Sequence, residues 1–400
     1  MPNRRVTWRT LALLAASATA VAACSSSSSS SKSSDSSAAA GSSGGGGKCP
    51  AGITIGFFGA ITGESANLGI NEYNGMKLAI TQFNKANPTC VVKETHYDSE
   101  GSPDKAPAQA QQAIKDTNTV ALIGPAFSGE SKAADPLFNE AGLPIVTASA
   151  TNPKLSTNGW KIFHRAVGND AAQGPAAAGY ITGDLKAKKV AVIDDGSEYG
   201  KGVADIVRSK VTGAGATVTS DQLDPKASDF SSSVNKIKGA GAEAVFFGGY
   251  YQAAGLLVKQ LRDAGVQAKF IAPDGSEDPG FVTAAGQAAA EGAVLTAPAA
   301  PIEKVTGGQD FVTAYKAAAG QDVGLYSVEA YDSANAVLDA IKNGATTRKS
   351  INDYLNTKTQ WKGLSKTLKW DDKGELAGQV TIYAYTVQAG KIVGLQALNG

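Results

Sequence analysis

The sequence predicts an α/β protein: two doubly wound parallel-sheet lobes with an inter-lobe ligand cleft and several hinge crossings. Three observations lead there. Short apolar runs such as "ITIGFFGA", "TVALIGP", "KKVAVIDDG" and "EAVFFGGY" alternate with helical segments; doubly buried strands joined by helices make a parallel sheet with right-handed crossovers. After "KIFHRAVGND" the alternation restarts as a second unit of similar size. The chain then passes through two more helices into strand-like ends that need a sheet to join. The first lobe is expected to hold residues 49–168 and 298–366, the second 169–297 and 367–400.

The individual elements follow in order. After "ITIGFFGA", residues Met76, Ala79, Ile80 and Phe83 recur with the spacing of one buried helical face. A strand over Val91–Asp98, a helix around Gln109–Ile114, the strand "TVALIGP" and a helix over Ser131–Ala141 follow, leading into "LPIVTASATNP". In the second unit "KKVAVIDDG", "ATVTSDQLD", "EAVFFGGY", "KFIAPDG" and "GAVLTAPA" read as strands, with helices such as "QAAGLLVKQLRDAG" between them. Helices around Asp310–Ala319 and Val328–Asn343 precede hairpin-like strands in "LSKTLKWDDKGELAG" and "QVTIYAYTVQAGKIVGL".

The amino-terminal residues stand apart from this pattern. Residues 1–23 have a basic start (Arg4, Arg5, Arg9), a short apolar run and small residues at the end, the pattern of a secretory signal peptide. The end, "VAAC", resembles the lipobox of bacterial lipoproteins, which implies cleavage before Cys24 and lipidation of its sulfur. Residues 24–48 are a Ser/Gly-rich tether that cannot bury enough apolar surface to offset its ordering entropy. Such a coil spans roughly 25–30 Å. The expectation is an extracytoplasmic domain anchored to the cell membrane. No later segment is apolar for long enough to cross a bilayer.

With 37 basic and 36 acidic residues, the chain carries no global field to steer nucleic acid. Once Cys24 is set aside, Cys49 and Cys90 remain, each just before a strand. If those strands are parallel neighbours, both cysteines sit at one end of the sheet, and an extracytoplasmic location permits a Cys49–Cys90 disulfide. Too few ligands lie near them for zinc.

In doubly wound sheets ligands bind beyond the carboxyl ends of the strands. After "TVALIGP", Ser128 and Gly129 stand where strand becomes helix, a seat for an anion or simply a helix cap. After "LPIVT" come Ser149 and Thr151, able to accept from an ammonium or donate to a carboxylate; an incidental Asn152–Pro153 turn is the alternative. In the second unit Tyr199, Tyr250 and Asp274 all follow strands. Together they suit an ammonium and an apolar side chain; the alternatives are lobe packing for the tyrosines and a turn role for Asp274.

The segments "GAITG", "SGESKAADPLFNEAGLPIVTASAT", "QGPAAAGYI", "EYGKG", "FFGGY" and "LKWDDKGEL", in this order, resemble the branched-chain amino-acid-binding proteins of ABC transporters, of the type I periplasmic-binding fold. The resemblance runs from about Ile53 to the final strands. It implies that Ser128 and Thr151 hold a ligand α-carboxylate. Ser149 (through its carbonyl), Thr151 and Asp274 would hold the α-ammonium, with Tyr199 and Tyr250 closing over it. Leu68 would stand beside the ligand side chain. There are three departures from the family's habit: Asp274 where glutamate is common, Leu68 where an aromatic is common, and Gly101 and Phe127 where some members carry a disulfide.

The resemblance implies a monomeric substrate-binding subunit that captures a zwitterionic Leu, Ile or Val by hinge closure and passes it to a membrane permease. The crossings near Gly168, Pro298 and Ser365 would absorb the rotation. Urea, a short amide or another small polar ligand is the alternative. No cofactor or metal is expected, and the chain is not expected to be an enzyme: GxSxG, HExxH and P-loop motifs are absent, His96 and His164 read as structural or surface residues, and Asp194 and Asp195 should point apart.

Overall fold

The computed structural model describes residues 49–357 and 360–398. The expected signal peptide (1–23), Cys24 and the expected tether (24–48) lie outside the described residues. In the first lobe, strand β1 (Thr54–Gly59) is followed by α1 (Ala66–Ala86), β2 (Lys93–Asp98), α2 (Ala106–Lys115) and β3 (Thr119–Ile123). Then come α3 (Ser128–Ala141), β4 (Ile145–Thr147) and β5 (Phe163–Arg165). The second lobe opens with α4 (Asp170–Gly179), β6 (Lys189–Asp194), α5 (Glu198–Gly213), β7 (Thr217–Gln222) and α6 (Ser231–Gly239). It continues through β8 (Ala244–Gly248), α7 (Tyr251–Asp263), β9 (Lys269–Ala272), α8 (Pro279–Ala285), α9 (Gln287–Ala290) and β10 (Val294–Ala297). The chain returns to the first lobe for α10 (Gly308–Ala319), α11 (Ser327–Lys342), α12 (Arg348–Thr357), β11 (Trp361–Lys362) and β12 (Thr367–Leu368). It ends in the hairpin β13 (Ile382–Gln388) and β14 (Lys391–Leu398).

The two expected sheets are present. The first has the order β2-β1-β3-β4-β5, all parallel. The second has the order β14-β13-β10-β9-β8-β6-β7, parallel from β7 to β10 and antiparallel at β13 and β14. Core strands such as β3 and β8 are buried along their whole length, as sheets covered by helices on both faces require. In each sheet the order reverses at one place, β1/β3 in the first and β6/β8 in the second. A crevice opens at such a switch point, so the strand ends that flank it position the site.

Helix α12 was not foreseen, yet its signal is local. Thr347 Oγ1 accepts from Ser350 N at 3.1 Å, and Ile351 and Leu355 form a one-turn apolar stripe that is buried. Strand β5 escaped notice because it is only three residues long.

Three segments cross between the lobes and meet at Gly168. A Cβ there would lie 2.2 Å from Val380 and 3.1 Å from Pro298, so glycine lets the crossings pack against one another. Gly168 and Pro298 lie on two of these crossings. The third does not lie at Ser365. Ser365 instead gives its N–H and hydroxyl to Asp332 of α11, at 2.8 and 2.7 Å. Residues 367–376 stay on the first lobe: Trp370 Nε1 donates to Arg165 O, and Glu375 pairs with Arg165 at 3.0 Å. The switch to the second lobe therefore comes after Leu376 rather than at 367, because a buried arginine holds the intervening segment.

Cys49 and Cys90 are bonded, at the amino ends of the paired strands β1 and β2. Among the described residues no helix is long and apolar enough to cross a membrane. The bridge closes a chain separation of 41 residues. Reduction, or Cys49→Ser with Cys90→Ser, is expected to lower unfolding stability by about 2–4 kcal/mol. Denaturant titration with and without reductant checks this; equal midpoints would contradict it.

Candidate functional site

The second-lobe half of the site is set by two glycines. A Cβ on Gly248, at the end of β8, would lie 2.2 Å from Gly200 O, and one on Gly200 would lie 2.5 Å from Gly248 O. Only glycine allows this backbone-to-backbone approach of α5 and β8. The contact brings Tyr199, in the first turn of α5, beside Tyr250, just before α7, with ring centroids 5.2 Å apart. Ser197 caps α5 by accepting from Gly200 N at 2.9 Å.

Asp274 follows β9 and is buried between two phenols. Tyr199 Oη donates to its Oδ1 and Tyr326 Oη to its Oδ2, both at 2.7 Å; Gly275 N donates to Tyr199 Oη at 2.8 Å. Burial raises the Asp274 pKa, and the two phenol bonds oppose that shift. Asp170, at the start of α4, is likewise pushed well up, by burial first and then by the charge of Asp274; Thr151 and Arg165 act against it.

The first-lobe half is the loop from β3 to α3 and the segment after β4. The row of hydroxyls there has a structural task. Thr147 Oγ1 donates to Pro125 O at 2.7 Å, and Ser149 Oγ donates to Ala126 O at 2.6 Å. Ser128 Oγ accepts from Asn152 N at 3.2 Å. The loop that delivers Ser128 to the first turn of α3 is thus sewn to the β4 extension. Glu130 completes the helix start by accepting from Phe127 N at 3.1 Å and from the Ser99 hydroxyl; burial pushes its pKa up to about 8. The first-turn N–H groups of α3 make an electropositive seat.

Between these halves lies a small cavity. Leu68, Ser128, Ser149, Tyr199, Tyr250 and Asp274 line it, as do Glu72, Phe127 and Tyr326. Thr151 is not on the wall; it is fully buried, and its carbonyl accepts from Asp170 N at 3.0 Å. Among the described residues, Thr151 Oγ1, both Asp170 oxygens and Glu72 Oε2 are buried side-chain atoms without a hydrogen-bond partner. Such atoms are rare and concentrate where a ligand or water belongs. No group of three or more His, Cys, Asp or Glu among the described residues could hold a metal ion.

Sequence reasoning missed Glu72, Asp170 and Tyr326. Glu72 stands one turn after Leu68 and one before Met76 on the buried face of α1, where a carboxyl breaks the apolar pattern. Its pKa is raised well above the usual range by burial, with Glu130 and Glu329 adding and Ser149 opposing. Asp170 follows a strand end, as the others do, but β5 was not recognised. Tyr326 belongs to no strand end and had no local signal. His164 is buried in β5, with Nδ1 3.1 Å from Ile145 O and Nε2 3.1 Å from Asn356 Oδ1, a structural pairing. Asp194 and Asp195 do point apart, Asp194 to Arg208 and Asp195 to Ser197.

A raised Glu130 pKa means that the folded protein keeps a proton the unfolded chain releases. Its contribution is present below about 4.5 and is lost as pH rises towards about 8. Glu130→Gln should therefore flatten the fall in stability across that window, by at most ~1.4 kcal/mol per pH unit. Denaturant midpoints of wild type and variant at stepped pH read this directly; parallel curves would contradict it.

A family model described as periplasmic binding protein matches residues 52–391. The leucine-, isoleucine-, valine-, threonine- and alanine-binding protein of Pseudomonas aeruginosa is 30% identical over 338 residues, covering 83% of this chain and 90% of that one. The Leu/Ile/Val/Thr-binding protein of Salmonella typhimurium is 30% identical over 332 residues, covering 82% and 89%. A branched-chain amino acid transporter substrate-binding protein of Streptococcus pneumoniae, solved in complex with isoleucine, superposes with a TM-score of 0.79 at 26% identity, covering 86% of this chain and 99% of that one. A leucine-binding protein of Thermotoga maritima gives the same TM-score of 0.79 at 25% identity, covering 87% and 99%. These are binding proteins, not enzymes. The chain belongs to the periplasmic binding protein family, with the type I fold of the branched-chain amino-acid-binding proteins.

Proposed function

We propose that this protein is the extracytoplasmic substrate-binding subunit of an ABC importer for amino acids of the Leu, Ile and Val class. One observation carries the reading: within a single cavity, the buried carboxyl of Asp274 faces a helix start bearing Ser128, with apolar walls from Leu68, Phe127 and Tyr250. A carboxylate on one lobe and free N–H groups on the other suit the two charges of a zwitterion, and the walls suit a branched side chain. The names of the curated relatives support the same class.

In this reading the α-carboxylate sits at Ser128 and the first turn of α3. The α-ammonium sits between Asp274 and the Ser149 carbonyl, with Thr151 and Asp170 buried behind them. Thr151 Oγ1 and both Asp170 oxygens are buried without a partner, so a cation nearby offsets a cost already built into the fold. Each charge-assisted bond contributes about 1.5–3 kcal/mol net. Burying a Leu-sized side chain adds about 1.5–3 kcal/mol. Tyr199 and Tyr250 close over the ligand from the second lobe. Leu68 borders the side chain. Capture proceeds by rotation at the crossings that meet around Gly168. We further propose that the protein acts as a monomer, that Cys24 carries a lipid anchor, and that residues 24–48 tether the binding domain near its permease.

Calorimetric titration of refolded, ligand-free protein is expected to give heat with Leu, Ile or Val at micromolar affinity or tighter. Asp274→Ala should weaken that binding by roughly a hundredfold, the loss of a buried charge partner. Silence towards all amino acids with a response to urea or a short amide would overturn the ligand class. Small-angle scattering tests the closure: saturating leucine should reduce the radius of gyration, and an unchanged profile would contradict hinge capture.

A further inference from the structure

We infer that Tyr326 is a positioning residue for ligand capture: its hydroxyl bonds Asp274 across the cleft, so the ammonium-binding carboxylate reaches its final orientation only when the lobes are closed. The inference rests on the amino-acid reading above and names a residue that acts through Asp274.

Tyr326 and Asp274 belong to different lobes. Tyr326 immediately precedes α11, which is fixed to the first lobe; Tyr331 Oη of α11 donates to Gln82 of α1 at 2.7 Å. Asp274 follows β9 of the second lobe. Their 2.7 Å bond therefore joins the lobes from inside the cavity. Other bonds also cross the cleft: Asn67 to Asp278, Tyr251 to Glu64 O, and Asn152 to Glu198 O, at 2.9, 2.6 and 2.8 Å. All three are partly solvent-exposed, whereas the Tyr326–Asp274 bond is buried. A bond to a carboxylate is stronger where water is excluded.

Two further features single Tyr326 out. Its backbone is left-handed, at φ 63°, a conformation that a bulky residue rarely adopts. Such strain persists only where the surroundings over-determine it, and it gathers at ligand clamps. Its ring is 4% exposed, and burial together with the Asp274 charge raises the phenol pKa well above its ordinary value, so the hydroxyl remains a donor. The carboxylate accepts one phenol on each oxygen and keeps a lone pair on each for an ammonium. Tyr199 stays with Asp274 whether the lobes are open or closed, because both belong to the second lobe. Tyr326 is present only in the closed form. Its bond favours the ionised carboxylate that an ammonium needs. Closure and ammonium binding are then linked, each favouring the other by the same factor.

The test is a double-mutant cycle of Tyr326→Phe and Asp274→Asn, read by leucine titration and stopped-flow kinetics. Tyr326→Phe keeps the ring and removes one hydroxyl. It is expected to weaken leucine binding about tenfold, carried by faster release with the association rate within about twofold. In the Asp274→Asn background the same change should cost less than about twofold. A tenfold loss that persists unchanged in that background, or an unchanged release rate, would show a packing role and overturn the inference alone. If wild type itself gives no leucine response, the amino-acid reading falls, and this inference with it.

Discussion

The site and the hinge both depend on Arg165, a guanidinium with no solvent exposure at the end of β5. A cation so deeply buried persists only if its charge and donors are matched. Its Nη atoms donate to the carbonyls of Ala150 and Asn152, and its Nε and Nη2 form a two-point pair with Glu375 at 3.1 and 3.0 Å. The first two bonds fix the segment that carries Ser149 and Thr151. The pair with Glu375 fixes the residues leading into the third crossing. One buried charge thereby ties the floor of the cavity to a strap of the hinge, and for that reason residues 367–376 remain on the first lobe.

The cavity wall carries a carboxyl from each lobe, Glu72 and Asp274, and no basic side chain. Asp274, Asp170 and Glu72 are all held above the usual carboxylate range, with burial the leading cause in each. Bringing the lobes together removes water from these groups, and that step is unfavourable unless donors replace it. Tyr199 and Tyr326 supply two for Asp274, and an ammonium would supply more. Closure without a compensating ligand leaves buried acceptors uncompensated; closure with one does not. In the proposed capture, desolvation of these carboxyls and the Tyr326–Asp274 bond together favour a bound, closed state.

The glycines at 200 and 248 show how local sequence and packing share the work. "EYGKG" and "FFGGY" place two tyrosines at strand ends, which periodicity alone reveals. That the tyrosines lie 5.2 Å apart depends on two backbones touching where any Cβ would clash. Thr147 and Ser149 give the converse lesson. The Ser149 hydroxyl read as a ligand contact, yet it and its neighbour Thr147 are spent on the carbonyls of Ala126 and Pro125. A hydroxyl at a strand end satisfies whichever acceptor is nearest, and only the folded loop decides which.

The sequence by itself determined the two-lobed α/β architecture, the Cys49–Cys90 bridge and the strand-end residues that face the cleft. Each of these follows from short-range signals: apolar runs, helical spacing, and cysteines placed before paired strands. Tertiary structure alone decided the third crossing, the withdrawal of Thr151 from the cavity wall, and the parts played by Glu72, Asp170 and Tyr326. Tyr326 lies 52 residues from Asp274 in the chain and approaches it only across the cleft. No pattern of spacing encodes that meeting, because it arises from how the two lobes rest on each other.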